Sequence, residues 1–201
     1  MSKINRNLID EAKHYVSNIL DAELPEICVF HTKQHTFDVL KNVELIGEFG
    51  NLNDDDLNIL RVSALFHDIG YVKLYAGHEQ ESASMAANFL DSNRIEKSSI
   101  KLITSAILAT KVPQQPKTQY SKILCDADLM HLTYASYFEN MELMRLEWEL
   151  TGIATFTEKE FHNNSVQFFN SHFYRSGYGK LYLESKKRKN LELIIKRIAE
   201  L

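Results

Sequence analysis

The chain has 201 residues, of which 44% are hydrophobic and 25% charged, with a formal net charge of −4. That length and composition suit one globular domain spanning residues 1–201 with a well-buried core, and the acidic balance argues against a nucleic-acid surface. No apolar stretch approaches the roughly 20 residues that cross a bilayer, and the polar start Met1-Ser2-Lys3-Ile4 lacks the apolar centre of a secretory signal, so the expected location is cytoplasmic.

Apolar residues recur at helical spacing almost throughout, and no run alternates as a half-buried strand would. The pattern predicts an all-α bundle of about eight or nine helices, at about 4–20, 31–49, 55–69, 79–91, 96–110, 120–132, 135–151, 158–172 and 178–200. Leu24-Pro25-Glu26 ends the first helix, and Gly50-Asn51-Leu52-Asn53-Asp54 separates the next two, with Asn53 or Asp54 as N-cap. Gly70 is expected to stop the third helix. Pro113 and Pro116 bound an extended connection, since neither can continue the helix before it. Cys28 and Cys125 show no metal-type spacing and are expected to be buried, reduced thiols.

Taken along the chain, the residues that can do chemistry begin with His31 and His35, four apart and so on one face if both lie in one helix. His67 and Asp68 follow the apolar run Leu60-Arg61-Val62-Ser63-Ala64-Leu65-Phe66. Adjacent residues diverge by roughly 100° on a helix. Both can still reach one cation at a helix end if other ligands arrive from neighbouring helices. Asp126 and Asp128 place two carboxylates inside the apolar run Leu124-Cys125-Asp126-Ala127-Asp128-Leu129. Buried carboxylates are costly to ionise unless a cation or a hydrogen-bond network compensates them. Two residues apart point roughly 200° from each other, so only one of these aspartates faces a shared ion. His35, His67, Asp68 and one aspartate supply two nitrogen and two oxygen ligands from three helices.

This ordered set resembles the HD-domain superfamily of metal-dependent phosphohydrolases, named for its histidine-aspartate doublet. The resemblance runs through Phe30-His31-Thr32-Lys33-Gln34-His35, Ala64-Leu65-Phe66-His67-Asp68-Ile69-Gly70-Tyr71, His78-Glu79, Ala109-Thr110-Lys111 and Asp126-Ala127-Asp128-Leu129. It covers a motif core of about residues 30–132, with looser likeness in the helices over 133–201. It implies an HD-type helical fold and metal ligation by His35, His67, Asp68 and Asp128, with Asp126 as the rival ligand or as a group orienting a ligand histidine.

Such a centre can hold a phosphoryl oxygen and activate a water, which leads to hydrolysis of a phosphate mono- or diester. By resemblance the substrate is a small phosphorylated molecule of the nucleotide class. Asp68 or Asp126 would position the water, His31 or His78 would protonate the leaving oxygen, and Lys111 and Arg145 are candidates to hold phosphate oxygens. His78 is also where a second-metal ligand could fall. The helix Ile100–Thr110 adds no histidine, so one divalent metal is expected, chosen from manganese, iron, cobalt, nickel, zinc and magnesium. A non-catalytic metal and nucleotide sensor and a di-iron oxygenase of the same superfamily are the alternatives. Residues 134–172 are rich in aromatics that serve as core or roof a base-stacking pocket, with Tyr134 and Tyr137 placed to approach the substrate. His162 and His172 are assigned to a surface or a helix cap, and a homodimer through the later helices is the default assembly.

Overall fold

Asn5, Thr32, Asn53, Thr118 and Thr157 each accept a hydrogen bond from the backbone N–H three residues on, and each opens a helix by satisfying a donor that the helix itself leaves free. The computed structural model describes residues 3–201. Among them lie nine α-helices and no strand: α1 (Arg6–Glu23), α2 (Lys33–Phe49), α3 (Asp54–Phe66), α4 (His78–Ser92), α5 (Lys97–Leu108), α6 (Gln119–Asp128), α7 (Tyr137–Leu150), α8 (Glu158–Ser171) and α9 (Glu184–Glu200). Thr118 with Ser121 and Thr157 with Glu160 form reciprocal capping boxes. Asp54, Asp55 and Asp56 set negative charge against the positive end of α3. No described helix is long and apolar enough to cross a membrane.

Helix ends depart from the sequence expectation where the chemistry lies. The third helix stops at Phe66, not near residue 69, so His67 is its C-cap and Asp68 already lies outside it. A 3-10 turn, Ile69–Val72, follows. Gly70 packs inside that turn. A Cβ there would lie 2.2 Å from the His78 carbonyl oxygen and 2.9 Å from the Ser82 nitrogen, so only glycine lets the start of α4 seat against the doublet. α6 likewise ends at Asp128 and continues as a 3-10 turn, Leu129–Thr133. The last helical segment opens with a π-helical turn, Gly179–Leu183, before α9. α1 begins and ends later than expected, with Leu24 in extended geometry as Pro25 requires.

Two apolar clusters hold these elements. The larger joins α1 to α6 through residues such as Val16, Val43, Leu60, Leu65, Leu90, Ile103 and Leu124, all nearly or fully buried. The smaller gathers Phe30, Leu129, Leu132, Tyr137, Met141, Phe161, Phe169 and Ile194 beneath α7, α8 and α9. Phe30 and Leu129 adjoin His31 and Asp128 in the chain, so the polar residues fall where the two clusters meet. Cys28 and Cys125 are free and buried. His172 caps α8, whereas His162 is buried rather than superficial, edge-on to Phe138.

Candidate metal centre

The fold brings His35, His67 and Asp128 from three elements to one point, with donor atoms all within 4.8 Å of one another. His35 Nε2 lies 3.4 Å from His67 Nε2 and 3.3 Å from Asp128 Oδ1, and His67 Nε2 lies 3.7 Å from the same carboxylate oxygen. Asp68 joins them through Oδ2, 3.1 Å from His67 Nε2 and 3.4 Å from His35 Nε2. The early end of α3 makes this convergence. Once the chain leaves the helix at Phe66, the Asp68 backbone is free to turn its carboxylate toward the imidazole beside it.

Three features fit a bound cation. His67 Nδ1 donates to the Ala64 carbonyl at 2.8 Å, which fixes the tautomer and leaves the Nε2 lone pair facing the cluster. Asp68 Oδ2 is buried with no hydrogen-bond partner, an arrangement that costs free energy unless a positive charge meets it. The donor set itself, two imidazoles and two carboxylates, suits a borderline or hard divalent ion. Electrostatics agree. Burial by itself would strip His35 of its proton, but Asp128 and Asp68 outweigh it and raise its pKa to about 9. Burial likewise opposes the charge on Asp68, yet the His67, His35 and His78 imidazoles hold its carboxyl well below the usual range. A divalent ion can take the place of those protons.

His31 does not lie on α2. It precedes the N-cap Thr32, so the expected shared helical face with His35 is not how the two histidines come together. Its position is set instead by Glu147 of α7, a fully buried carboxylate that accepts from the Phe30 and His31 N–H groups at 2.7 and 3.0 Å, from the His31 ring at Nδ1, and from the Tyr75 hydroxyl at 2.7 Å. The Tyr71 ring stacks with both His31, with centroids 4.5 Å apart, and His78, at 3.8 Å. His78 Nε2 in turn faces Asp68 Oδ1 at 3.4 Å, while its Nδ1 pairs with the Tyr75 carbonyl. His31 and His78 therefore flank the candidate metal ligands on one side, held by a carboxylate and a ring that sequence reasoning missed. Glu147 had left a trace, since it falls on the face of α7 that carries Met141, Met144 and Trp148, where a charge needs a partner.

Beside the centre opens a cleft of about 390 Å³ whose walls include Asp68, Asp128, His31, His78 and Lys111. Its deeper lining is apolar, with Phe30, Met141, Met144, Trp148, Phe161 and Phe168 among the contributors, and Asn164 and Ser165 of α8 supply polar atoms there. Lys111 is exposed and has no carboxylate within 4.0 Å among the described residues. The remaining candidates lie elsewhere. Arg145 is bound to Glu142 at 2.7 Å and to the Phe156 carbonyl and does not line the cleft. The Tyr134 hydroxyl pairs with Asn42, on a separate cavity behind His35 and Asp128. Asp126 points away from the cluster, its carboxylate taken by the backbone N–H groups of Arg175 and Ser176 at 2.7–3.0 Å, so it anchors the segment ahead of α9 rather than orienting a ligand histidine. His131, not anticipated from sequence, is buried beside His35, and burial first and the neighbouring imidazole second lower its pKa to about 3.

The family model for the HD domain matches residues 32–133, which contain all four converging side chains. The chain belongs to the HD-domain family. Its match to that model ends at the 3-10 turn after α6, so the Glu147 clamp lies beyond the matched residues, in α7. Among solved structures, this HD protein is similar to Bacillus subtilis YpgQ in complex with ADP, with a TM-score of 0.68 and 20% identity over 97% of this chain and 95% of that one. It is also similar to a predicted HD superfamily hydrolase from an uncultured Thermotogales bacterium, with a TM-score of 0.59 and 16% identity over 95% and 89% of the two chains. A Lactobacillus plantarum protein gives a TM-score of 0.69 and 14% identity over 98% of each. At these identities the likeness is one of fold. No curated protein matches the chain.

Proposed function

We propose that this HD-domain protein is a metal-dependent phosphohydrolase that cleaves a phosphate ester or anhydride of a nucleotide with an activated water. The observation that carries the proposal is the convergence of His35, His67, Asp68 and Asp128 on one point, with Asp68 Oδ2 buried and unpartnered, at the mouth of a cleft that also presents Lys111. A divalent ion held by these four side chains would supply a Lewis acid for a phosphoryl oxygen and lower the pKa of a water.

The chain's own groups account for the rest. Lys111 meets the charge of the phosphate chain from the rim. His31 and His78 lie on the cleft side of the ligands, and either imidazole can deliver a proton to the leaving oxygen, with Glu147 holding the first and Asp68 and the Tyr75 carbonyl holding the second. The Tyr71 ring stacks with both imidazoles and helps to hold them in place. Beyond the reacting group, the aromatic and Met-lined part of the cleft suits a flat, weakly polar body such as a nucleobase, and the ADP bound to the YpgQ relative supports that class.

The test is phosphate release from a panel of nucleoside mono-, di- and triphosphates, sugar phosphates and bis-ester reporters with manganese, iron, cobalt, nickel, zinc or magnesium. We expect metal-dependent release that falls about 10²–10³-fold in Asp68→Ala, the scale on which loss of a preorganised polar group acts, with the helical content unchanged. Release that persists in the variant would refute the assignment. Tight nucleotide binding without turnover would favour the sensor.

A further inference from the structure

A second cavity, larger than the cleft at about 630 Å³ and sharing no lining residue with it, lies between the Gln114–Lys117 connection, the first turns of α6 and the segment Phe173–Glu184. Its charge is unlike that of the chain. Lys117, Lys122, Arg175 and Lys180 all line it, and none has a carboxylate within 4.0 Å among the described residues, although the protein as a whole carries a net charge of −4. Lys3, Lys33, Lys41, Lys73 and Lys97 are paired with carboxylates, whereas other exposed cations such as Lys101, Lys159 and Lys196 are not, so it is the gathering of four unpaired cations on one lining that sets this place apart.

The one acid in the lining is already engaged. Glu184 accepts from the Tyr174 N–H at 2.6 Å through Oε1 and pairs with Lys187 at 3.1 Å through Oε2. Asp126, the nearest buried carboxylate, is occupied by the Arg175 and Ser176 N–H groups. The wall is also fixed before any ligand arrives. Lys187, only 5% exposed, donates to the His172 carbonyl, and the fully buried Tyr174 ties its hydroxyl to the Leu129 carbonyl at 2.8 Å. Four like charges facing one preformed space repel one another, and a bound polyanion relieves that repulsion while losing little to ordering. Phe173, 56% exposed at the rim, adds an aromatic face.

We infer that this cavity is a binding site for a phosphate chain, either that of a nucleotide stacking its base on Phe173 or inorganic polyphosphate, separate from the metal centre. The site does not depend on hydrolysis at the metal centre. Gln114 stands at both places, since it lines the cavity and its side-chain amide donates to Asp128 Oδ2 at 3.3 Å.

Calorimetric titration of the full chain in EDTA, which empties the metal centre, tests the inference with inorganic tripolyphosphate, ATP and adenosine as probes. We expect saturable 1:1 binding of tripolyphosphate to the native chain and to His67→Ala, weakened at least 10-fold in both Lys117→Glu/Lys180→Glu and Lys122→Glu/Lys180→Glu, with far-UV circular dichroism confirming that all variants fold. ATP binding several-fold tighter than tripolyphosphate, with the difference removed by Phe173→Ala, assigns the chain to a nucleotide. Equal affinities assign it to the phosphate chain alone. Absence of saturable binding, loss of binding in His67→Ala, or indifference to both charge reversals would overturn the inference.

Discussion

Replacing Glu147 probes how a helix beyond the residues matched by the HD model holds His31 beside the candidate metal centre. The side chain is fully buried and accepts four hydrogen bonds, two from backbone N–H groups through Oε2 and two from His31 and Tyr75 through Oε1. Glu147→Ala removes every acceptor and strands the Phe30 and His31 N–H groups and the Tyr75 hydroxyl. Each stranded buried group costs about 1–3 kcal/mol, partly recovered by water entering from the cleft, so the expected loss is about 3–5 kcal/mol. Glu147→Gln is the informative companion. Its amide oxygen can keep both backbone donors, and its NH₂ can pair with Tyr75 and with His31 in the opposite tautomer, so the loss should be only about 1–2 kcal/mol. Urea unfolding followed by circular dichroism reads both, and for a chain of this size the Ala variant should melt roughly 10 °C below the native protein. Turnover should separate from stability. Gln reverses the hydrogen that His31 Nδ1 presents to its anchor, so if His31 is the proton donor kcat should drop about 10²-fold or more, with little change in KM. Equal stability of the Ala and Gln variants within 0.5 kcal/mol would refute the clamp.

Three further outcomes follow from the geometry. Gly70→Ala places a methyl group against the His78 carbonyl and the Ser82 nitrogen, so it should cost about 2–4 kcal/mol in chemical denaturation and lower metal affinity by moving Asp68; a neutral effect would show that the turn yields freely. Manganese added to EDTA-treated protein should stabilise it by about 2.7 kcal/mol at a hundredfold excess over Kd, seen as a rise in melting temperature that His35→Ala abolishes. His131 is neutral in the fold because burial lowers its pKa to about 3 from 6.5. Above pH 6.5 both states are neutral there and its contribution is constant. Below that the unfolded chain takes up a proton that the folded one refuses, so the His131 contribution to metal-free stability should fall by about 1.4 kcal/mol per pH unit between 6.5 and about 3, and the overall slope should shrink by that amount in His131→Gln. Parallel slopes for the two proteins would mean that His131 is solvated in the fold.

Helical periodicity, caps at Asn53 and elsewhere, and the breaks at Pro25 and Gly50 settle from sequence that the chain is all-α, because these signals act over a few residues and need no distant partner. The order of His35, His67, Asp68 and Asp128 is equally legible, since the family pattern is written in consecutive short motifs. Tertiary structure decided what local rules cannot see. α3 ends at Phe66 against its own helical pattern because Gly70 must pack under His78, and only that exit turns Asp68 into the cluster. Asp126 and Asp128 are near-identical in sequence context, but the turn between α8 and α9 offers its N–H groups to one and leaves the other for the imidazoles. Glu147 reaches His31 across 116 residues, a separation at which no periodicity carries information. The gathering of unpaired cations around the second cavity likewise arises from folding segments that are ordinary, solvated stretches when read one at a time.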